Sequence, residues 1–305
     1  MSKRRIITIC VMLAAIIATG ALPAFADYST GLAGYWPMDV ENGGTTPDTS
    51  GLGNNGELRE IYGREWYDIG IGPTLTTDPN DAKFGHSYSF DGSNDVITAN
   101  GPTLSIDGTY TIGAWIRRTE GSTYGAIMRI GGETVNPDYN FLTMTIAYDD
   151  SYFGGIGAYM LENQIDSAAT DAVIPMSPGT WYYVAATYED RTLSLYVNGI
   201  FKDSVYVDFT TSIPGNPGVT RIGNNYDYIS ECPAGGVIDD AAVWSGRALT
   251  GPEISAYFNS GKPLGDQLGG EAPEPATVVG VVLVAVGVII RGIKRRGKLM
   301  LVSSS

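Results

Sequence analysis

The residue types able to do chemistry in this 305-residue chain are few, and their scarcity removes whole classes of function. There is one histidine, His86, and there are two cysteines, Cys10 and Cys232, so neither a multi-histidine zinc site nor a four-cysteine cluster can be built. A Ser-His-Asp triad would have to use His86, and no G-x-S-x-G nucleophile motif stands near it. Carboxylates are plentiful instead, with 33 Asp and Glu against 19 Lys and Arg. Two acids about 5 Å apart could hydrolyse a glycosidic bond. The nearest pairs, Glu60 with Asp68 and Glu162 with Asp166, have the wrong spacing and sit in loop-like sequence. Calcium is a second chemistry open to acids, because a hard cation takes several oxygen ligands. Asp48 with Asn54 and Asn55, Asp91 with Asp95, and Asp39 with Asp239 are the candidates; none fits an EF-hand loop, and all suit the capping of turns equally well. Aromatic residues beside acids form a third group. Tyr62, Trp66 and Tyr67 lie in the loop-like segment 57–81, and Tyr148, Tyr152 and Phe153 surround Asp149 and Asp150. Rings that stack on sugar CH groups, next to acids that accept hydroxyl protons, are what a carbohydrate surface needs. The same rings could pin a loop to a sheet.

These residues must be held by a scaffold whose charge is unevenly spread. Lys3, Arg4 and Arg5 open the chain, and Arg291, Lys294, Arg295, Arg296 and Lys298 come near its end; the stretch between carries 11 basic and all 33 acidic side chains, a net −22. So negative a body repels phosphate backbones, which argues against nucleic acid as a partner. Residues 1–26 have the order of a secretory signal peptide: a basic start, an apolar run over 6–17, and Ala24-Phe25-Ala26 as an A-x-A cleavage site. The mature chain then keeps one thiol, Cys232.

Between the ends, 40 Gly and 16 Pro punctuate short apolar and aromatic runs, the composition of a β-rich domain. Tyr110, Ile112, Ala114 and Ile116 share one face of a strand and Trp115 takes the other, an arrangement suited to a two-sheet sandwich. Asn198-Gly199 between alternating runs predicts a hairpin, because both central residues of a type I′ turn need positive φ. Thr250-x-x-Glu253 has capping-box spacing with Pro252 in the first turn; Ile254, Tyr257 and Phe258 follow on one face and Gly261 supplies a stop. This helix is expected to pack on the sandwich edge. Residues 262–272 read as a flexible polar stem.

At the C-terminal end Pro273-Glu274-Pro275 precedes an apolar run over 276–290 and then the basic cluster. The run spans roughly 22 Å as a helix, short of the roughly 30 Å hydrocarbon core, with flanking Arg and Lys able to snorkel. This order resembles the PEP-CTERM sorting signal of Gram-negative bacteria. The resemblance implies a transient inner-membrane anchor through 276–290, processing by a membrane-embedded exosortase, and delivery to the outer surface or extracellular matrix. The chain continues to Ser305 where such tails commonly stop.

In the body, G-L-A-G-Y-W-P-M-D over 31–39, F-G-H-S-Y-S-F-D-G over 84–92, W-Y-Y-V-A-A-T-Y over 181–188 and G-V-I-D-D-A-A-V-W over 236–244 occur in an order that resembles LamG-like, concanavalin A-type jellyroll domains. The resemblance implies an all-β fold, a two-sheet antiparallel β-sandwich with one short C-terminal helix, over residues 27–261, flanked by the signal helix and the transmembrane helix. It also implies binding of an extracellular glycan or a surface protein. Endoglucanases on the same sandwich carry a Glu-x-Asp-x-x-Glu strand pattern that this sequence lacks. A non-enzymatic adhesion or binding domain is therefore the expectation, with a purely structural matrix component, or a glycoside hydrolase on the same fold, as the alternatives.

Overall fold

The computed structural model describes residues 27–62, 65, 66, 72–101, 104, 108–131, 142–162, 166–209, 218–224 and 232–268. The signal peptide, the Pro273-Glu274-Pro275 motif, the run 276–290 and Tyr67 lie outside the described residues.

Turn residues divide the chain into strands β1 (Leu32–Trp36), β2 (Thr45–Thr46), β3 (Gly56–Tyr62), β4 (Glu65–Trp66), β5 (Thr74–Thr76), β6 (Ser87–Asp91), β7 (Asp95–Gly101), β8 (Tyr110–Arg118), β9 (Tyr124–Gly131), β10 (Leu142–Asp149), β11 (Gly155–Glu162), β12 (Asp166–Ala169), β13 (Tyr182–Glu189), β14 (Thr192–Val197), β15 (Ile200–Tyr206), β16 (Gly218–Ile222) and β17 (Gly235–Ser245), followed by helix α1 (Gly251–Ser260). They form two antiparallel sheets. The first runs β15-β14-β13-β8-β17-β6-β5, with β1 added beside β17; the second runs β12-β11-β10-β9-β16-β7-β3-β2, with β4 beside β3. The expected two-sheet sandwich is thus the fold. Segment 57–81, read from sequence as a loop, instead contributes β3, β4 and β5, because Leu58 and Ile61 are buried on the sheet and outweigh the polar residues around them.

Period-two alternation fills the space between the sheets. Tyr110, Ile112, Ala114 and Ile116 of β8 meet Met144, Ile146 and Tyr148 of β10 and Ile156, Ala158 and Met160 of β11 in one buried cluster. Each fully buried large side chain of this kind contributes about 1.5–3 kcal/mol. The hairpin turns carry the required backbone: Asn198 and Gly199 have φ of 52° and 73°, and Asp190 and Arg191 have 47° and 60°.

The outer face of the first sheet holds a second core, in which Trp115, Tyr183 and Trp244 are covered by Tyr28, Tyr35, Ile254, Tyr257 and Leu264. This is why β8 is apolar on both faces. Helix α1 therefore lies over a sheet face, not on the sandwich edge as its single apolar stripe suggested. Both capping-box bonds between Thr250 and Glu253 form, and Gly261 ends the helix at φ 63°. The chain does not become a free stem at 262: Leu264 is buried, its N–H donates to Asp240 Oδ2 (3.0 Å), and the Gly265 N–H donates to the Tyr35 hydroxyl (2.9 Å). Residues up to Leu268 belong to the sandwich. A β-bulge makes this docking possible, since one extra residue on β17 between Asp239 and Ala242 puts Asp240 at φ 52°, a conformation Asp tolerates better than most residues.

Candidate functional site

The β10–β11 hairpin builds the main cleft. The carboxylate of Asp149, the last residue of β10, accepts at Oδ1 from the Ser151 N–H (2.8 Å), the Ser151 hydroxyl (2.7 Å) and the Tyr152 N–H (2.9 Å), while the Asp149 carbonyl accepts from the Phe153 N–H (3.0 Å). That tight turn sets the Tyr152 and Phe153 rings edge to face, with centroids 4.7 Å apart, and Phe153 nearly parallel to Tyr159 at 6.2 Å. Gly157 makes the seat: a Cβ there would lie 2.4 Å from the Phe153 ring. Tyr124, directly opposite Asp149 in the β9–β10 register, closes the other side. The result is a half-open cleft of about 270 Å³ on the outer face of the second sheet, floored by Ala147, Tyr159, Leu161 and Ala169 and bordered by Cys232. Tyr152 is 71% exposed and Tyr124 49%, whereas Phe153 is only 7% exposed, so the mouth offers rings and the wall is packed.

Three of the six aromatic residues singled out by sequence, Tyr148, Tyr152 and Phe153, meet here. Tyr152 stands at the mouth as expected. Tyr148 does not lie in a loop: alternation along β10 turns its ring into the core, and its hydroxyl accepts from the Gly235 N–H (2.9 Å) and bonds Ser122 (2.7 Å), so it supports the cleft from beneath. Tyr62 and Trp66 fall in β3 and β4 on another part of the second sheet, with Trp66 paired to Ile61. Sequence reasoning missed Tyr124, Phe153 as a wall residue, and Tyr159. The i, i+2 placement of Tyr159 and Leu161 on β11 was the available signal.

The seven residues considered for calcium each have a hydrogen-bonding role within the protein, Asn55 Oδ1 accepting from the Asp48 N–H (3.0 Å). Asp48 accepts from the N–H groups of Tyr35, Ser50 and Asn54, and Asn54 donates to the Ala33 carbonyl (2.7 Å). Asp91 accepts from Ser93, and Asp95 from Asp91. Asp39 accepts from the His86 N–H (2.8 Å), and Asp239 from those of Lys83 and Phe84. Among the described residues no group of three or more His, Cys, Asp or Glu side chains is placed to hold a metal ion. The imidazole of His86 bonds the Thr76 carbonyl (3.0 Å) at a strand edge, with no nucleophile in place.

The most perturbed acids form the buried pair Asp239 and Asp240. Burial pushes Asp239 up to about 8 and Asp240 to about 6, with their mutual repulsion adding to the Asp239 shift. The hydroxyls of Tyr35 and Tyr257 donate to Asp240, while Asp239 Oδ1 has no hydrogen-bond partner. Both residues are at most 2% exposed, Asp240 against Tyr257 of α1 and Asp239 against the Lys83 and Phe84 backbone, so no glycan can reach them. Their raised proton affinity reflects desolvation within a structural joint, not acid catalysis.

No curated protein sequence matches the chain. Among solved structures it is similar to domain 4 of an extracellular arabinanase from Geobacillus stearothermophilus, in complex with arabinotriose, with 17% identity, a TM-score of 0.55, and 73% of this chain and 96% of that one covered. It is also similar to botulinum neurotoxin type C, which depends for its uptake into cells on interaction with two ganglioside molecules (17% identity, TM-score 0.50, 78% and 53% covered). A third likeness is to a sialidase from Trypanosoma rangeli (16% identity, TM-score 0.50, 75% and 32% covered). The chain thus spans nearly all of the arabinanase domain but only about half and a third of the other two. At these identities the likeness shows the fold, one shared by glycosidases and by non-enzymatic binding domains. The sequence profile described as the concanavalin A-like lectin/glucanases superfamily matches residues 91–255, more than half of the chain. With that match laid on a two-sheet antiparallel sandwich, the chain belongs to the concanavalin A-like lectin/glucanase superfamily.

Proposed function

We propose that this chain is a non-enzymatic carbohydrate-binding protein of the cell surface or extracellular matrix, and that the aromatic cleft between Tyr124 and Tyr152 is its sugar site. The observation that carries the reading is the cleft itself: a half-open concavity of about 270 Å³ with exposed rings at the mouth, packed aromatic and aliphatic walls, and one carboxylate at its border. Sugar rings bury their CH faces on such walls and keep their hydroxyls in water. Glycan complexes among the structural neighbours support the same reading. Export through the N-terminal segment and sorting through the Pro273-Glu274-Pro275 tail by an exosortase-type enzyme complete the proposal, and they accord with an acidic body that carries no nucleic-acid-binding charge. Any calcium requirement would belong to the ligand complex, where sugar hydroxyls complete the coordination.

A glycan array probed with the folded protein, with and without calcium, tests the assignment. Saturable retention on at least one glycan class is expected. Tyr152→Ala should weaken it at least about tenfold, the loss of one stacked ring, with an unchanged melting temperature. Retention that Tyr152→Ala leaves intact would place the site elsewhere, and release of reducing ends from a bound glycan would overturn the non-enzymatic assignment.

A further inference from the structure

Resting on the glycan reading of this cleft, we propose that its ligand is an amino sugar with a free, protonated amine, and that Asp149 is the residue that selects it. Four aromatic rings, those of Tyr124, Tyr152, Phe153 and Tyr159, line the cleft, and Asp149 is the one charged side chain among the described lining residues. The negative faces of aromatic rings attract an ammonium group, and the attraction grows as the site loses water. Burial raises the Asp149 carboxyl, but the bonds from Ser151 and Tyr152 outweigh it and hold the group below the usual carboxylate value, so it is ionised at neutral pH, where a sugar amine is largely protonated.

Nothing basic in the surrounding chain offsets this. No Lys or Arg occurs between Arg129 and Arg191, and nine carboxylates do, in the very segment that forms β10, β11 and β12. Three guanidinium groups lie on nearby strands, Arg118 on β8 of the first sheet, Arg129 on β9 and Arg221 opposite it on β16, and all three are engaged. Arg118 donates to Asp150 (2.8 Å) and to the Ser122 carbonyl (2.9 Å), which also neutralises the acid beside Asp149. Arg129 is 5% exposed and already has an interaction partner. A carboxylated sugar would meet an anion without a cation to receive it, and a neutral sugar would leave Asp149 with no charge partner. A neutral sugar can donate its hydroxyls to Asp149, but an ammonium-bearing one also supplies the charge that the acid and the ring faces attract.

Calorimetric titration of the full chain with oligomers of equal length decides the matter: β-linked glucosamine, its N-acetylated counterpart, and galacturonate. The glucosamine oligomer is expected to bind about tenfold more tightly than the N-acetylated one. Asp149→Asn should abolish that difference by weakening the glucosamine oligomer about tenfold, while the amide keeps an oxygen for the Ser151 and Tyr152 N–H groups; an unaltered melting curve confirms the turn. Equal or tighter binding of the N-acetylated or galacturonate oligomer overturns the amine preference while sparing the glycan reading. Binding of none of the three overturns both. Polylysine that matches the glucosamine oligomer and is indifferent to Tyr152→Ala would show a diffuse negative field in place of a site, and would also overturn the proposal.

Discussion

Gly157 carries more of the cleft than any polar group does. It is flat β-strand backbone that leaves room for Phe153 to lie on the sheet, and Phe153 in turn fixes Tyr152 and faces Tyr159. Gly157→Ala places a methyl 2.4 Å from ring carbons, so the ring must lift. The expected outcome is a loss of about 1–3 kcal/mol of stability in thermal melts, together with loss of glycan retention. Unchanged retention would mean that Phe153 shapes nothing in the site. The carboxylates tell a parallel story. Asp48 looked like a calcium ligand because Asp and Asn cluster around it, yet the same short polar side chains satisfy backbone N–H groups at a turn, and composition alone does not separate the two.

At the scale of elements, turn and cap signals were legible, whereas the strands of segment 57–81 and the groupings made by strand pairing were not. Thr250, Glu253 and Gly261 specify α1 within a dozen residues, and Asn198-Gly199 specifies its turn within two. The cleft needs Tyr124 from β9, Tyr152 from the β10–β11 turn and Tyr159 from β11, a grouping that only strand pairing creates. The docked segment after α1 was equally hidden, because the partner of Leu264 is a carboxylate on a bulge of β17. That joint has a pH dependence. Asp239 and Asp240 hold protons more strongly in the folded chain than in an unfolded one, so their contribution to stability is complete below about pH 4 and is lost as the pH rises towards about 8. The melting temperature should therefore fall between pH 5 and pH 8 in a way that Asp239→Asn suppresses, with a gain on the order of 2–4 kcal/mol at the upper end. The amide retains an acceptor for the N–H groups of Lys83 and Phe84. A pH-independent melting temperature in the parent chain would mean that the pair ionises without penalty.

For the whole molecule, the sandwich class followed from composition and alternation, and the division of labour between its faces did not. Trp36, Trp115 and Trp244 are all buried, but Trp36 lies between the sheets and the other two lie on the outer face of the first sheet under α1. Sequence cannot say which side of a strand faces which layer when both are apolar. The termini make a further prediction. If both basic ends are removed, mass spectrometry of the mature protein should find Asp27 at the start and an end close to Pro273, leaving a body of −22; a retained tail through Ser305 would mean a permanent anchor.

The two cores also fix a direction. Tyr28 and Leu264, near the two ends of the folded domain, press on the outer face of the first sheet, whereas the cleft opens on the outer face of the second. A pull applied at the cleft and resisted at Leu268 must cross both sheets. The last link in that path is the Leu264–Asp240 joint, which can peel open one residue at a time while the paired strands are loaded together. Under such a load the joint is expected to yield before the paired strands do, Leu264 leaving Asp240 while the cleft between Tyr124 and Tyr152 keeps its shape.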